Sequence, residues 1–344
     1  MSFLLLQFDQ DSRKRLEGMM TEIPQLNLFL KCINLNLRSS RVDHLHELLN
    51  DPIFAAKTLK DKQHLIQNKK EVTRFARLLL TYVTVGGFIW PMSFCFRRIK
   101  DPNTVVPFYV PFTPDNWTKF ILQLFMLCFP IFWVGYGHVT LDCLIVTYYA
   151  QAQVQLKIIK YNLENLFEST KSDIRISNSD VDVKNRFLHY VKRFDKVNWL
   201  INEVTDIFNP CLTFQFFTSS VAICMVIYKL SDTYIVSLEF VFLLNFIFVL
   251  LTQMFIYCYY GNVVSYESKY INTSLYLSDW SSASPGVRKM FLIVMPRWTR
   301  PLVVRIARVV PLSLDSFVSI VKSSYTLYTI LVTKNSIASE EAIM

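Results

Sequence analysis

Glycine is scarce in this chain, 7 residues in 344. The sequence has no GxGxxG fingerprint and no Walker loop, so the phosphate cradles of nucleotide enzymes are excluded. It has no HExxH and no GxSxG, which removes the common zinc-hydrolase and nucleophile-elbow chemistries. Seven cysteines are present (Cys32, Cys95, Cys128, Cys143, Cys211, Cys224, Cys258), none in a CxxC pair. All lie in or beside apolar runs, the setting of small buried side chains rather than of metal or disulfide frameworks. His44 and His46 form an HxH pair, but no cluster of further ligands stands beside them. No internal repeat and no low-complexity stretch occurs. These absences point away from an enzyme and from any cofactor or metal.

Long apolar runs dominate instead. The chain is 52% hydrophobic and 15% aromatic, with a mean hydropathy of +0.29. A helix needs about 20 apolar residues to cross the hydrocarbon core. Leu78–Phe96, Ile207–Tyr228 and Phe240–Tyr266 are uncharged, and Phe120–Leu141 carries only His138. Leu312–Thr333 is a fifth candidate, rich in Ser and Thr and carrying Asp315 and Lys322. Met19–Leu37 is a sixth, interrupted by Glu22, Pro24 and Lys31. The expected fold is all-α, a polytopic transmembrane helix bundle with extended cytoplasmic helices forming an anchor.

The formal net charge of +9 is not spread evenly. Arg38–Arg74 holds eight Lys and Arg, Gln151–Asp206 nine, and Gly261–Val310 seven. The opposite side has only Arg97, Arg98, Lys100, Lys119, Lys229 and Lys334. Twenty-four against six is a positive-inside bias. It places the three long segments in the cytoplasm and the C-terminus outside. The same sorting explains the basicity without nucleic acid. The N-terminal Met-Ser-Phe-Leu-Leu-Leu is too short for a signal peptide, and its charges follow rather than precede it.

This ordering divides the chain as follows. Residues 1–37 carry partial first helices, and 38–74 form a cytoplasmic connector with helical spacing at Leu45, Leu48, Leu49 and Ile53. Residues 75–150 hold two membrane helices around an outer loop broken by Pro102, Pro107, Pro111 and Pro114. Anchor helices over 151–206 show apolar stripes at Leu156, Ile159, Leu163, Leu166 and at Val191, Phe194, Val197, Leu200. Two more membrane helices, over 207–266, are joined by a tight turn at Ser231–Thr233. Residues 267–310 are read as a further anchor and a basic amphipathic helix, with Arg297, Arg300, Arg305 and Arg308 interleaved among apolar residues. A pore-lining helix over 311–334 and a short extracellular tail over 335–344 complete the chain.

Two constellations carry a functional reading. In the last span, Ser316, Ser319, Ser323, Thr326, Ile330 and Thr333 recur at spacings of three and four, so they share a helical face. Such a polar stripe suits a hydrated path with one apolar ring able to gate by dewetting. The alternative is that the hydroxyls bond back to their own helix. The outer halves of earlier spans are aromatic (Tyr82, Phe88, Trp90; Phe125, Phe129, Phe132, Trp133, Tyr136) beside Gly86, Gly87, Gly135 and Gly137. Aromatic walls next to small residues could form an apolar cavity, or simply helix packing and lipid contact.

From about Asn209 to Val332 the chain resembles the insect odorant receptor family. The residues that carry the likeness are Cys258-Tyr259-Tyr260-Gly261-Asn262, Tyr276, Trp280, Met295-Pro296-Arg297 with Pro301, Asp315-Ser316-Phe317 and Ser324-Tyr325-Thr326. The segment Val106-Pro107-Phe108-Tyr109-Val110-Pro111-Phe112 is similar as well. The resemblance implies seven transmembrane helices with the N-terminus inside. It implies a subunit of an odorant-gated, non-selective cation channel, assembled as a heterotetramer with the family co-receptor in the plasma membrane of olfactory neurons. Small apolar volatile ligands would enter a pocket that here points to Tyr82, Phe88, Phe129, Phe132, Tyr136, Tyr234, Phe240 and Leu243. Ser319, Ser323 and Thr326 would line the pore, with Ile330 and Thr333 at the gate. Family members carry two full spans before the position of Arg38, so the resemblance also implies an N-terminally incomplete chain. A gustatory receptor of the same superfamily is the near alternative, although its Gln-Phe pattern is missing after Ser324-Tyr325. A G-protein-coupled receptor needs the opposite topology, and a transporter needs paired broken helices.

Overall fold

A computed structural model describes residues 12–101, 112, 116–167, 179–231, 233–234 and 237–341. The expected proline-rich outer loop and the Ser- and Asp-rich stretch 169–182 between the two anchor stripes fall mostly outside these residues. The side chains of Trp90 and Thr333 also lie outside the described residues.

Nine helices and one short hairpin are described: α1 (Ser12–Leu37), α2 (Ser39–Leu49), α3 (Leu59–Lys100), α4 (Trp117–Glu164), α5 (Ser179–Ser231), α6 (Leu238–Lys269), α7 (Ile271–Leu277), α8 (Pro285–Trp298), β1 (Arg305–Ile306), β2 (Val310–Pro311) and α9 (Leu314–Glu341). Among the described residues, α3, α4, α5 and α6 are long and apolar enough to cross a membrane. They pack on one another, α1 lies against α4 and α5, and α9 lies against α5 and α6. The result is a transmembrane helix bundle.

The long helices do not stop where their apolar runs stop. Thr58 starts α3 with a capping box, its hydroxyl accepting from the Asp61 N–H at 3.1 Å while Asp61 accepts from the Thr58 N–H at 3.2 Å. The helix then runs unbroken from the charged connector into the apolar span. Below the spans, α4 and α5 zip together through Tyr149, Leu156, Ile159, Leu163, Phe187, Val197, Leu200 and Val204, all buried. Burying each such side chain contributes about 1.5–3 kcal/mol. Phe187 meets Phe291 at 4.5 Å and Trp298 at 5.9 Å, which docks α8 on this seam. Arg193 is fully buried there and donates to Gln155 (2.8 Å) and to the Phe54 carbonyl (3.1 Å).

One expectation is corrected. The basic stretch after Thr299 is not helical. Pro301 stops α8 from continuing, and the chain turns into a hairpin with Ile306 paired to Val310. Ala307 and Arg308 lie in the three-residue loop between them with φ of 51° and 61°, and the Val309 N–H donates to the Ile306 carbonyl at 3.1 Å, so the tip is a turn with both central residues left-handed. The last helix also runs on to Glu341, through what reads from the sequence as the start of a tail.

Candidate functional site

Small residues bring α3, α4 and α6 close together. A Cβ on Gly87 would stand 2.7 Å from the Phe132 ring, and one on Gly86 would stand 2.3 Å from Asn245 Oδ1. Only glycine leaves space for those two side chains. Phe132 therefore lies against α3, where it meets Phe88 at 5.0 Å and stacks on Tyr136 at 6.1 Å. The Tyr136 hydroxyl is 2.9 Å from that of Thr84. On the neighbouring turn Tyr82 contacts Phe248 of α6 at 4.9 Å.

The predicted pocket residues thus fall into three sets. The first set lies along α3: Phe88, Phe132 and Tyr136 come together between α3 and α4, with Phe88 57% and Tyr136 39% exposed, while Tyr82 meets Phe248 of α6. Phe129 does not join them: it stacks on Trp133 at 6.3 Å along a face of α4 that also bears Phe125, all three more than 60% exposed. On α6, Leu243 is buried against Val226 and Phe240 sits in the first turn, its N–H donating to Ser237 Oγ at 3.0 Å, while Tyr234 is exposed in the link before it. Thr84, Asn245 and Phe248 were not foreseen. Their signal was a polar residue at helical spacing within an aromatic stretch, which is faint without the neighbouring helix. Near the ends of these helices Glu239 is bridged by Lys229 at 2.8 Å and by Arg97, tying α3, α5 and α6 together.

A polar cluster at mid-bundle was also not foreseen. Lys31 of α1 is paired with Asp142 of α4, and both are buried. The carboxylate further accepts from the Tyr257 hydroxyl at 2.5 Å and from the Gln253 amide, both on α6. His138, one turn before Asp142, contacts the Pro24 carbonyl at 2.9 Å. Lys31, a charged interruption of the first apolar run, is therefore an internal contact. An ion pair in such surroundings persists only when its remaining lone pairs are also satisfied.

In α9, Ser324 is fully buried and shares a hydrogen bond of 2.8 Å with Ser220 of α5, while Phe317 meets Phe255 of α6 at 5.6 Å. The opposite face, with Ser319, Ser323, Thr326 and Ile330, is exposed. Its hydroxyls donate to the carbonyls four residues back: Ser319 to Asp315 at 2.9 Å, Ser323 to Ser319 at 2.9 Å and Thr326 to Lys322 at 3.0 Å. The back-bonding leaves each hydroxyl oxygen free to accept from that face. Ser316 is half-buried and bonds to Ser313 at 3.0 Å. No metal-holding cluster of His, Cys, Asp and Glu occurs among the described residues.

A bundle of this kind defines a multi-pass helical membrane protein. The model of the 7tm odorant receptor family matches residues 16–325, so the chain belongs to the odorant receptor family, a family of receptors and not of enzymes. It is 22% identical over 268 residues to Odorant receptor Or2 of Anopheles gambiae, covering 75% of this chain and 69% of that one. It is 26% identical over 242 residues to Odorant receptor 82a of Drosophila melanogaster, covering 70% of this chain and 56% of the relative. The fold is similar to that of the insect olfactory receptor OR5 from Machilis hrabei, with TM-score 0.78 at 16% identity over 95% of this chain and 83% of that one. The same receptor in complex with eugenol gives 0.77 at 14% identity over 96% of this chain and 85% of that one.

Proposed function

We propose that this chain is the odorant-recognising subunit of a ligand-gated, non-selective cation channel, assembled as a heterotetramer with the family co-receptor. The observation that carries the reading is the two-sidedness of α9. One face is seated on α5 and α6 through Ser324 and Phe317, and the other presents Ser319, Ser323 and Thr326 to the outside of the subunit. Hydrocarbon is a poor environment for that second face, with Asp315 and Lys322 also exposed beside it. A water-filled axis shared with other subunits suits it, with Ile330 and Thr333 at the gate.

The aromatic cluster on α3 and α4, with its neighbours on α6, is the ligand site in this reading. Tyr82, Phe88, Phe132 and Tyr136 would contact the ligand, with Phe240, Leu243 and Tyr234 contributing from α6 and its lead-in. Phe129 belongs to the outward face of the same helix. The structural relative that holds eugenol supports a small, largely apolar ligand. Burial of such a ligand at roughly 25 cal/mol per Å2 supplies affinity, and tighter binding to the open state shifts the closed–open balance. In this reading the N-terminal end and the α4–α5 seam lie in the cytoplasm of an olfactory neuron and the end of α9 lies outside, an orientation the loop charges favour, with the seam serving as the subunit anchor.

Ile330→Glu tests the reading. Cells expressing the variant with the co-receptor should show altered gating or ion selectivity in whole-cell current. Currents identical to the parent remove Ile330 from the gate.

A further inference from the structure

α5 is continuous from Ser179 to Ser231 but contains Pro210. Proline has no N–H, so the Asp206 carbonyl has no helical donor, and the ring pushes it outward. Residues of α1 and the adjoining turn take up the exposed acceptors. Arg38 Nη1 donates to the Asp206 carbonyl at 2.5 Å and to the Ile207 carbonyl at 3.3 Å, and Asn34 donates to Ile207 at 2.9 Å. Arg41 adds ion pairs to Glu203 at 2.6 Å and Asp206 at 2.8 Å. The break in α5 is thus filled from one side by the segment that includes α1.

The adjacent side chain serves a second partner. Asn209 Oδ1 accepts from the Ala307 N–H at 2.8 Å, and Thr213 Oγ1 lies 3.2 Å from the same N–H. Ala307 is the left-handed tip residue of the hairpin that leads into α9. A non-glycine residue held at positive φ is a costly conformation that persists where its surroundings over-determine it. Two further contacts fix the hairpin: the Leu302 N–H donates to Ser268 Oγ at 2.9 Å, and Leu312 lies so close to Gly261 that a Cβ there would come within 2.4 Å.

The geometry points to Asn209 as a positioning residue. By holding the hairpin tip against the proline break of α5, it sets where α9 begins and couples α9 to the helix that carries α1. The consequence for gating rests on the channel reading above, but the seating of α9 does not.

The test is chosen to separate the two. Ser220 and Ser324, whose hydroxyl oxygens are 2.8 Å apart, are replaced by cysteine in the full chain. Oxidative cross-linking in membranes then reports the seat of α9 on α5, with the single-cysteine chains as background. Asn209→Leu should slow cross-linking about fivefold, the factor of one net hydrogen bond. Asn209→Asp keeps an acceptor oxygen and should restore the parental rate, which a merely space-filling role would not explain. Thr213→Val should fall between. Equal rates in the parent and Asn209→Leu, or an equal loss in Asn209→Asp, overturns the assignment. In cells with the co-receptor, Asn209→Leu should also change the resting current and Asn209→Asp should not. If cross-linking follows the pattern while the parent carries no current, the channel reading fails and the joint stands.

Discussion

The ammonium of Lys31 and the carboxylate of Asp142, 111 residues apart in the chain, form a buried ion pair where α1, α4 and α6 meet. Asp142 is the centre of that contact, since Tyr257 and Gln253 also donate to it. Removing one member strands the other. Lys31→Met or Asp142→Asn should each cost about 3–5 kcal/mol, read as a lowered melting temperature of the solubilised protein and reduced surface delivery. The double variant Lys31→Met with Asp142→Asn should lose less than the two single losses added together, because no lone charge remains. Additive losses would show that the pair is not coupled.

Gly87 decides how near α4 stands to α3. Gly87→Val forces the Phe132 ring away from its place beside Phe88. The expected cost is about 1–3 kcal/mol of overpacking, with surface expression largely kept and the dose–response to any activating odorant displaced. A normal odorant profile in a normally expressed variant would separate this contact from the ligand site.

The two faces of α9 should respond differently to the same change. Ser324→Leu inserts bulk where Ser324 touches Ser220, so it should destabilise the seat and lower the yield of folded protein by about the same 1–3 kcal/mol. Ser323→Leu, one residue away on the exposed face, should leave the melting temperature of the isolated subunit within about 0.5 kcal/mol equivalent yet change the current of the assembled channel. Equal melting losses would contradict the two-faced arrangement.

Asp51 is paired with Lys196, which holds its carboxyl below the ordinary value of 3.8, helped by the Ile53 N–H. A depressed carboxyl contributes stability that is present above its unfolded value and is lost as pH falls through the folded one. Melting curves of the parent and Asp51→Asn should therefore differ by a constant amount from pH 7 to about pH 5, and the gap should shrink as pH falls below the ordinary carboxyl value of 3.8. A gap that widens on acidification would have the wrong sign for this pair.

Much of the bundle was legible because long uncharged runs leave few alternatives in a membrane. Leu78–Phe96, Phe120–Leu141, Ile207–Tyr228 and Phe240–Tyr266 all fall inside single helices. The helix ends were less legible, since α3 begins at Leu59 in a charged segment whose capping box, not its hydropathy, marks the start. Lys31 reads as an interruption because its partner lies on another helix, and no local pattern announces a pairing of that range. The hairpin after Pro301 reads as amphipathic because alternating Arg and apolar residues suit both periods over so short a stretch, and its left-handed tip carries Ala and Arg where glycine would have been the signal. For the aromatic cluster, composition picked the helices, but only packing separates Phe132, turned toward α3, from Phe129, turned away.

The 48 residues of α4 make it a lever. Asp142, clasped from α1 and α6, is a natural fulcrum about 15 Å along the axis from Phe132. Lys160, bonded to Glu267 at 2.9 Å, lies about 27 Å beyond it on the other arm. Turned as a rigid rod about Asp142, a sideways displacement at Phe132 arrives at Lys160 reversed and nearly doubled, with the force reduced in the same proportion.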